Sequence, residues 1–437
     1  MIKSLLKGTI ILTFAGLLTR IIGFVYKIYL SNILEAKMLG LYQLVFPIFG
    51  ICFTIFGAGI QTAVSKLVAE RSKDKKYIKK VLVVAIVLSF LLAAILSVLL
   101  YFGAGYVAVF MLGESKCTDL LKILAFAFPL CAVAVCINGC YYGLKKAATP
   151  ALTQLFEQIV RVVFVYIAII LLPLADRYTM CMLAVAGIAV GEGVSMLYSI
   201  IMVLWMFRKM EDDASETHTT ESGNVLKQLV CFATPLTGNK LIVALLHGVE
   251  TIIIPALLKK YGMSSDDALS VYGVLTGMAM PFVMFPSTIT NSLAVLLLPV
   301  ISEANENSDG RLIKMSRMCI AGSLVLGILS IVIFLTIGAD IGVYVFHNES
   351  IGLFIKILAF LCPFLFVSTT LASIINGLGK TCVTFFITAT GLSTRILLTI
   401  KTVPESGISG YLISLLVSEV IITIMSMHYY KKYINSK

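Results

Sequence analysis

The sequence has few charged residues, few histidines and no catalytic motif. Only 13% of its 437 residues are Asp, Glu, Lys or Arg, whereas a soluble globular domain carries about 25%. There are four histidines, and no metal-ligand cluster, nucleophile elbow or phosphate-binding loop is found. These absences argue against a soluble protein and a metal site, and we expect a non-enzyme that needs no cofactor.

The ten cysteines do not imply a disulfide framework. Nearly all lie inside apolar runs, where cysteine packs as a small apolar side chain. Cys117 alone is predicted to be exposed.

Long apolar runs are what the sequence has instead. Hydrophobic residues make up 59% of the chain, and runs of about 18 or more residues are long enough to cross a bilayer. We therefore predict an all-α integral membrane protein of about twelve transmembrane helices. The predicted spans are roughly 8–32, 41–66, 81–112, 120–143, 150–174, 179–207, 226–258, 268–300, 318–346, 351–376, 381–400 and 406–429.

The distribution of basic residues predicts the orientation of these spans. Of the 34 Lys and Arg, 21 fall in the segments on the same side as the N-terminus. The seven in segments on the other side are Lys37, Lys116, Lys122, Arg177, Lys259, Lys260 and Lys401. Because basic residues are enriched in cytoplasmic loops, we expect both termini in the cytoplasm of a bacterial inner membrane. The net charge of +11 is then explained by topology, and we expect no nucleic-acid partner.

An internal repeat divides the chain into two halves. KILAFAFP at 122–129 is echoed by KILAFLCP at 356–363, and the same offset of 234 residues, from 122 to 356, continues without a gap. It pairs Gly143-Leu144 with Gly377-Leu378, Lys146 with Lys380 and Arg161 with Arg395. The copies lie six predicted spans apart, on the fourth and tenth spans, so both enter the membrane in the same direction, as in a parallel repeat. We predict six-helix lobes at 1–207 and 226–437, joined by a cytoplasmic linker at 208–225.

Basic residues inside the first span of each half are candidates for binding an anionic substrate. Arg20 and Lys27 are seven residues apart and share one helix face, and Lys240 lies near the middle of span 7. A charge at mid-membrane is costly and usually faces a cavity or a partner. A cationic face suits a diphosphate, which arginine grips with two hydrogen bonds. Asn239 and Asn291 could add hydrogen bonds; pairing with Glu192 or Glu419 is the structural alternative.

The remaining charges inside spans are candidates for ion coupling or for structural pairing. Glu157 and Arg161 are four residues apart and are predicted to pair along their own helix. For Arg395, snorkelling to the membrane interface is as well supported as a buried role. The full set is Glu157, Arg161, Glu192, His247, Glu250, Arg395 and Glu419.

Several segments resemble the stage V sporulation protein B family of the multidrug/oligosaccharidyl-lipid/polysaccharide exporter superfamily. The most specific is PALTQLFEQIVRVV, at the end of NGCYYGLKKAATPALTQLFEQIVRVV (138–163). GLLTRIIGFVYKIYLSNIL (16–34) and GLYQLVFPIFGICFTIFGAGIQTAVSKLVAE (40–70) are also similar. So is VYGVLTGMAMPFVMFPSTITNSLAVLLLPVISEA (271–304).

The resemblance implies a V-shaped bundle that alternates access to a central cavity. It implies transfer of an undecaprenyl-diphosphate-linked glycan, lipid II, for peptidoglycan, with the spore cortex as the usual context. Related lipid II flippases carry Ser-Arg-x-x-Gly-Phe-x-Arg on the first helix. Here Arg20 matches the first arginine, whereas Tyr26 stands at the second and Lys27 follows it.

Other functions remain open at this point. A multidrug cation exporter of the same fold would use acidic residues such as Glu192, Glu250 and Glu419. A non-transporting assembly factor would tolerate loss of Arg20, and the short loops leave little room for a membrane glycan polymerase. We expect a monomer whose partners are the lipid-linked glycan, membrane lipid and a coupling ion (H⁺ or Na⁺), with the membrane potential as an alternative driving force.

Overall fold

The computed structural model describes residues 2–212, 224–290, 311–346 and 348–435, and it does not describe the side chains of residues 2–15, 210–212, 311–312 and 434–435. The first half contains eight α-helices. They are α1 (Ile2–Leu44), α2 (Phe46–Phe53), α3 (Gly59–Glu70), α4 (Lys75–Tyr106), α5 (Cys117–Ala125), α6 (Ala127–Gly143), α7 (Ala148–Leu171) and α8 (Arg177–Asp212).

Eight further α-helices follow in the described part of the second half. They are α9 (Val225–Lys260), α10 (Ser265–Gly273), α11 (Met280–Met284), α12 (Arg311–Tyr344), α13 (Glu349–Ala359), α14 (Cys362–Gly377), α15 (Thr381–Ser406) and α16 (Ile408–Asn435). Short π-helical turns occupy Thr54–Ala58, Val107–Met111 and Val274–Ala279.

The described helices confirm a multi-pass membrane protein. Nine stretches are long and apolar enough to cross a membrane, or up to eleven if two bent pairs each count as one span. The first stretch, Gly16–Glu70, holds most of the first predicted span and all of the second. They are separated at Glu35, whose φ of 61° and ψ of 165° interrupt the helix. Within the second span, Pro47 lies in the first turn of α2, where a missing amide hydrogen is tolerated.

The repeated KILAFxxP sequence lies at a bend between two helices in each half. Helices α5 and α6 meet at 41°, and α13 and α14 meet at 54°. A proline lies near the start of the second helix in each pair, at Pro129 and Pro363, and proline cannot donate the backbone bond that would continue a straight helix. The repeat therefore encodes one broken span in each half.

The matched glycines that end these spans also have matched geometry. Two residues beyond them, Lys145 and Gly379 both have positive φ, 59° and 76°. The next amides, of Lys146 and Lys380, donate to the carbonyl five residues earlier at 2.9 and 3.1 Å, which is the bond of a Schellman cap. The two halves are thus related in backbone detail as well as in sequence.

The chain forms two compact units. One contains residues 1–23 and 44–248, and the other contains residues 24–43 and 249–437. The predicted lobes at 1–207 and 226–437 stay a prediction, and most of the linker at 208–225 lies outside the described residues. The units also divide α1 and α9, so that the first helix of each half belongs partly to each unit.

The core of the first unit lies between α3, α4, α6 and α8. Leu67, Ile78, Ala85 and Cys136 belong to one buried cluster there. Six of the ten cysteines are buried, in keeping with packing roles. Cys117 is one of them, so its predicted exposure is wrong; it begins α5 and packs inward.

Candidate functional site

A buried ionic cluster lies within the second unit. The Arg395 guanidinium from α15 donates to Glu250 on α9 at 3.2 Å and to Glu419 on α16 at 2.6 Å. Its Nε donates to the Ser418 hydroxyl at 2.6 Å. The three charged residues are only 4–8% exposed. Snorkelling is therefore wrong for Arg395, because two carboxylates compensate its charge inside the helix bundle.

Two hydroxyls complete this cluster. Tyr411 on α16 donates to Glu250 at 2.9 Å, and Ser368 on α14 donates to Glu419 at 3.5 Å. Four helices thus contribute to one polar network inside an apolar unit. Leaving one member of such a network unpaired costs far more than the network contributes when complete, so it fixes how these helices pack.

A related cluster lies within the first unit. Arg161 and Glu157 form the predicted ion pair along α7. Glu192 on α8 is buried, 7% exposed, and interacts electrostatically with both members of the pair. The Cys131 thiol on α6 lies beside Glu192.

The repeat relates the two clusters. In each half the fifth span contributes the arginine, Arg161 or Arg395, and the sixth contributes a glutamate, Glu192 or Glu419. The fourth span contributes a small side chain beside that glutamate, Cys131 or Ser368. The second carboxylate differs, because Glu157 comes from the arginine's own helix and Glu250 from a different one. Both clusters hold two carboxylates for one guanidinium.

The cations of α1 are placed differently from these arginines. Arg20 and Lys27 are exposed, and neither forms an ion pair with a carboxylate among the side chains that the structure describes. One turn beyond Arg20, α1 packs against α7 at Gly23, where an added Cβ would lie 3.5 Å from the Gln158 side-chain nitrogen. Arg20 is therefore close to the helix that carries Glu157 and Arg161, without joining their ion pair.

Lys240 binds neutral oxygens instead of an acid. Its ammonium donates to the Ala58 carbonyl at 2.8 Å and to the Thr62 hydroxyl at 3.1 Å. Ala58 ends the π-helical turn of the second span, and such turns leave carbonyls without their usual helical donors. The predicted alternative, pairing with Glu192 or Glu419, is not what the described residues show.

The other predicted residues are placed as follows. Asn239 and His247 are exposed on α9. Asn291 lies outside the described residues. Among the described residues, no group of three or more His, Cys, Asp and Glu side chains could hold a metal ion.

Sequence reasoning missed three members of the second-unit cluster. Tyr411, Ser418 and Ser368 are single polar residues in apolar spans, where such residues usually serve to bond helices together. Tyr411 and Ser418 are seven residues apart and therefore share a face of α16 with the neighbouring Glu419. This spacing is a sequence signal for a polar face on α16 that includes Tyr411 and Ser418.

These helices and buried charges define a multi-pass membrane protein built from two related halves. A family model described as polysaccharide biosynthesis protein matches residues 5–305, which is more than half of the chain. The chain therefore belongs to this family. The stage V sporulation protein B of Bacillus subtilis (strain 168) is 28% identical, over 97% of this chain and 83% of its own length.

Solved structures agree on the fold. A structure of the lipid II flippase MurJ in an inward closed conformation matches 97% of this chain and 87% of its own, with a TM-score of 0.72 at 14% identity. An inward-facing transporter of the multidrug resistance MATE family, in the MOP superfamily, matches 98% of both chains with a TM-score of 0.70 at 16% identity. The predicted fold class is confirmed, and identities this low establish the fold alone.

Proposed function

We propose that this protein is a flippase for a lipid-linked glycan, and that it carries lipid II from the cytoplasmic to the outer leaflet by alternating access. Membership of the polysaccharide biosynthesis family supports a glycan substrate. The fold shared with the lipid II flippase MurJ supports the peptidoglycan precursor as substrate. The similarity to stage V sporulation protein B supports a role in a sporulating bacterium.

The observation that carries the proposal is the difference in pairing among the charged residues of the described spans: several carboxylates are paired with arginines, whereas three cations have no carboxylate partner. Glu157 pairs with Arg161, and Glu250 and Glu419 pair with Arg395. By contrast, Arg20, Lys27 and Lys240 have no carboxylate partner among the described side chains. Cations that lack an internal counter-ion favour an anionic ligand.

Each cation has a role suited to a diphosphate. Arg20 binds it through two parallel hydrogen bonds, and Lys27, two turns further along the same face of α1, adds a point charge. Lys240 exchanges the Ala58 carbonyl for a phosphate oxygen, which is the stronger acceptor because it is charged. Asn239 and Asn291 are proposed to contact the diphosphate or the first sugar.

The charge division also weighs against a multidrug cation exporter. Such a site needs free carboxylates, whereas three glutamates of the described spans form ion pairs with arginines: Glu157, Glu250 and Glu419. Glu192 and His247 stay candidates for coupling to H⁺ or Na⁺. The non-enzymatic role, the inner membrane, the cytoplasmic termini and the monomeric state stay proposals as well.

Reconstituted transport tests the role of Arg20. Purified protein in liposomes is given fluorescent lipid II, and the exposure of the label to an external quencher is followed over time. We expect Arg20→Gln to slow transport by roughly 10- to 100-fold, the cost of losing a charge-assisted bond. Arg20→Lys should recover part of the rate.

The matched control is Lys356→Gln, which removes one positive charge from α13, a helix that carries none of the proposed site residues. It should transport as the wild type does. Equal rates for wild type and Arg20→Gln, with both proteins folded, would contradict the assignment of Arg20 to the diphosphate.

A further inference from the structure

A small cationic pocket lies at one end of the first unit, where α6 ends, α7 begins and α8 approaches its last turns. Its volume is about 220 Å³, and its lining includes Lys146, Thr149, Trp205 and Lys209. Drug-sized ligands occupy pockets of roughly 300–1,000 Å³, so this one suits a smaller group. None of these residues belongs to the proposed transport site.

The charge of the pocket is positive. Lys146 and Lys209 are exposed, and neither forms an ion pair with the side chains that the structure describes. Lys209 Nζ lies 5.4 Å from the centre of the Trp205 ring, within the range of a cation–π contact. Thr149 lies in the first turn of α7, where the helix dipole adds partial positive charge.

An apolar stripe leads away from the pocket along α8. Leu197, Ile201 and Leu204 are spaced at helical intervals and are 56%, 63% and 56% exposed. Trp205, 58% exposed, marks the end of the stripe, and tryptophan is enriched at the membrane interface. Arg208 continues the same face beyond it. The surface therefore extends from the depth of the lipid acyl chains, where it is apolar, to the depth of the lipid headgroups, where it is cationic.

We propose that this pocket holds the glycerophosphate headgroup of an anionic phospholipid, whose acyl chains lie along the stripe of α8. The apolar stripe identifies a lipid and not a soluble phosphate compound. The small volume suits a glycerophosphate, which is much smaller than the sugar–peptide headgroup of lipid II. The site is a resident-lipid site of the first unit, separate from substrate transport.

The repeat provides an internal comparison. An offset of 234 residues places Lys380 at the position of Lys146, but Ile375 and Val383 replace the pocket residues Tyr141 and Thr149. The second unit thus has the matched lysine and the matched helix cap, but it lacks the polar side chains that line the pocket of the first unit. Lys380 is exposed and is a matched control for the loss of one surface charge.

The single tryptophan of the chain makes the pocket directly observable. The full-length protein is placed in bilayers of neutral phosphatidylcholine that contain brominated lipids, which quench tryptophan fluorescence on contact. At equal mole fractions, we expect brominated phosphatidylglycerol to quench Trp205 more strongly than brominated phosphatidylcholine. The relative binding constant should favour phosphatidylglycerol by roughly fivefold per lysine engaged.

Variants test the source of this preference. In Lys146→Gln/Lys209→Gln the two brominated lipids should quench equally, whereas Lys380→Gln should keep the wild-type ratio. Equal quenching of the wild type by the two brominated lipids would overturn the proposal. Loss of the phosphatidylglycerol preference in Lys380→Gln, to the same extent as in the double variant, would also overturn it. So would displacement of the brominated lipid by soluble glycerol phosphate, or a stronger displacement by undecaprenyl diphosphate than by phosphatidylglycerol.

Discussion

At the scale of single residues, arginine has two roles in this protein: pairing with buried carboxylates and the proposed binding of an anionic ligand. Arg161 and Arg395 occupy matched positions of the repeat and neutralise carboxylates inside their own units. Arg20 lies on an exposed face of α1 without such a partner in the described chain. Burial and partner, more than residue type, distinguish a structural arginine from a candidate for ligand binding.

Removing Arg395 should destabilise the protein strongly. Arg395→Leu leaves Glu250 and Glu419 buried without a counter-ion, and breaking a buried pair in this way costs about 3–5 kcal/mol. We expect a clear fall in the melting temperature of the detergent-purified protein. Arg395→Leu/Glu250→Gln/Glu419→Gln should recover most of it, because all three charges are then absent.

Arg161→Leu is the matched comparison. The Arg161 and Glu157 side chains are 16% and 20% exposed, so the protein encloses this pair less completely than the Arg395 cluster. Its melting temperature should fall less than that of Arg395→Leu. The opposite order would show that the first-unit cluster is the more important for stability.

At the scale of elements, close packing of helices depends on small residues. The second half of α1 meets α10 through Gly40 and Gly273; an added Cβ at Gly273 would lie 2.1 Å from the Ala36 carbonyl oxygen. Such contacts let transmembrane helices approach one another through their backbones. They hold part of the first helix within the second unit.

Gly273→Ala should therefore loosen this contact. The new methyl group cannot be accommodated without moving α10, and overpacking of this kind costs about 1–3 kcal/mol. The melting temperature should fall, whereas Gly103→Ala, where nothing lies within 4 Å of an added Cβ, should leave it unchanged. Equal melting temperatures for both variants would show that α1 and α10 do not pack so closely.

Much of the element structure could be predicted from the sequence. The repeat around KILAFAFP predicted matched spans because Lys, Pro, Gly and Arg recur in register among apolar residues. The π-helical turns could not be predicted, since no residue type marks them. The hydrogen bond from Lys240 to the Ala58 carbonyl could not be predicted either, because Ala58 belongs to one of these turns. The pairing of Arg395 with Glu250 could not be predicted because Glu250 is 145 residues away along the chain.

At the scale of the whole molecule, the orientation in the membrane can be tested directly. The distribution of Lys and Arg predicts that Ser72 faces the cytoplasm and Ser115 the outside; both are exposed in loops. With the exposed Cys231 and Cys382 replaced by serine, an impermeant thiol reagent should label Ser115→Cys in intact cells and Ser72→Cys only after the membrane is opened. The reverse pattern would invert the proposed direction of transport.

The class of substrate depends on the charge of the transport site. Glycan flipping and organic-cation export use the same fold, but they need sites of opposite charge. The division of charges in the described spans favours an anionic substrate, because the arginines already occupy most of the span carboxylates.

The most direct measurement compares both activities in one preparation of proteoliposomes. The wild-type protein should expose fluorescent lipid II to an external quencher well above the rate of empty vesicles, and it should not accelerate the movement of a fluorescent organic cation. Cation movement driven by an ion gradient, with no effect on lipid II, would contradict the proposed flippase function.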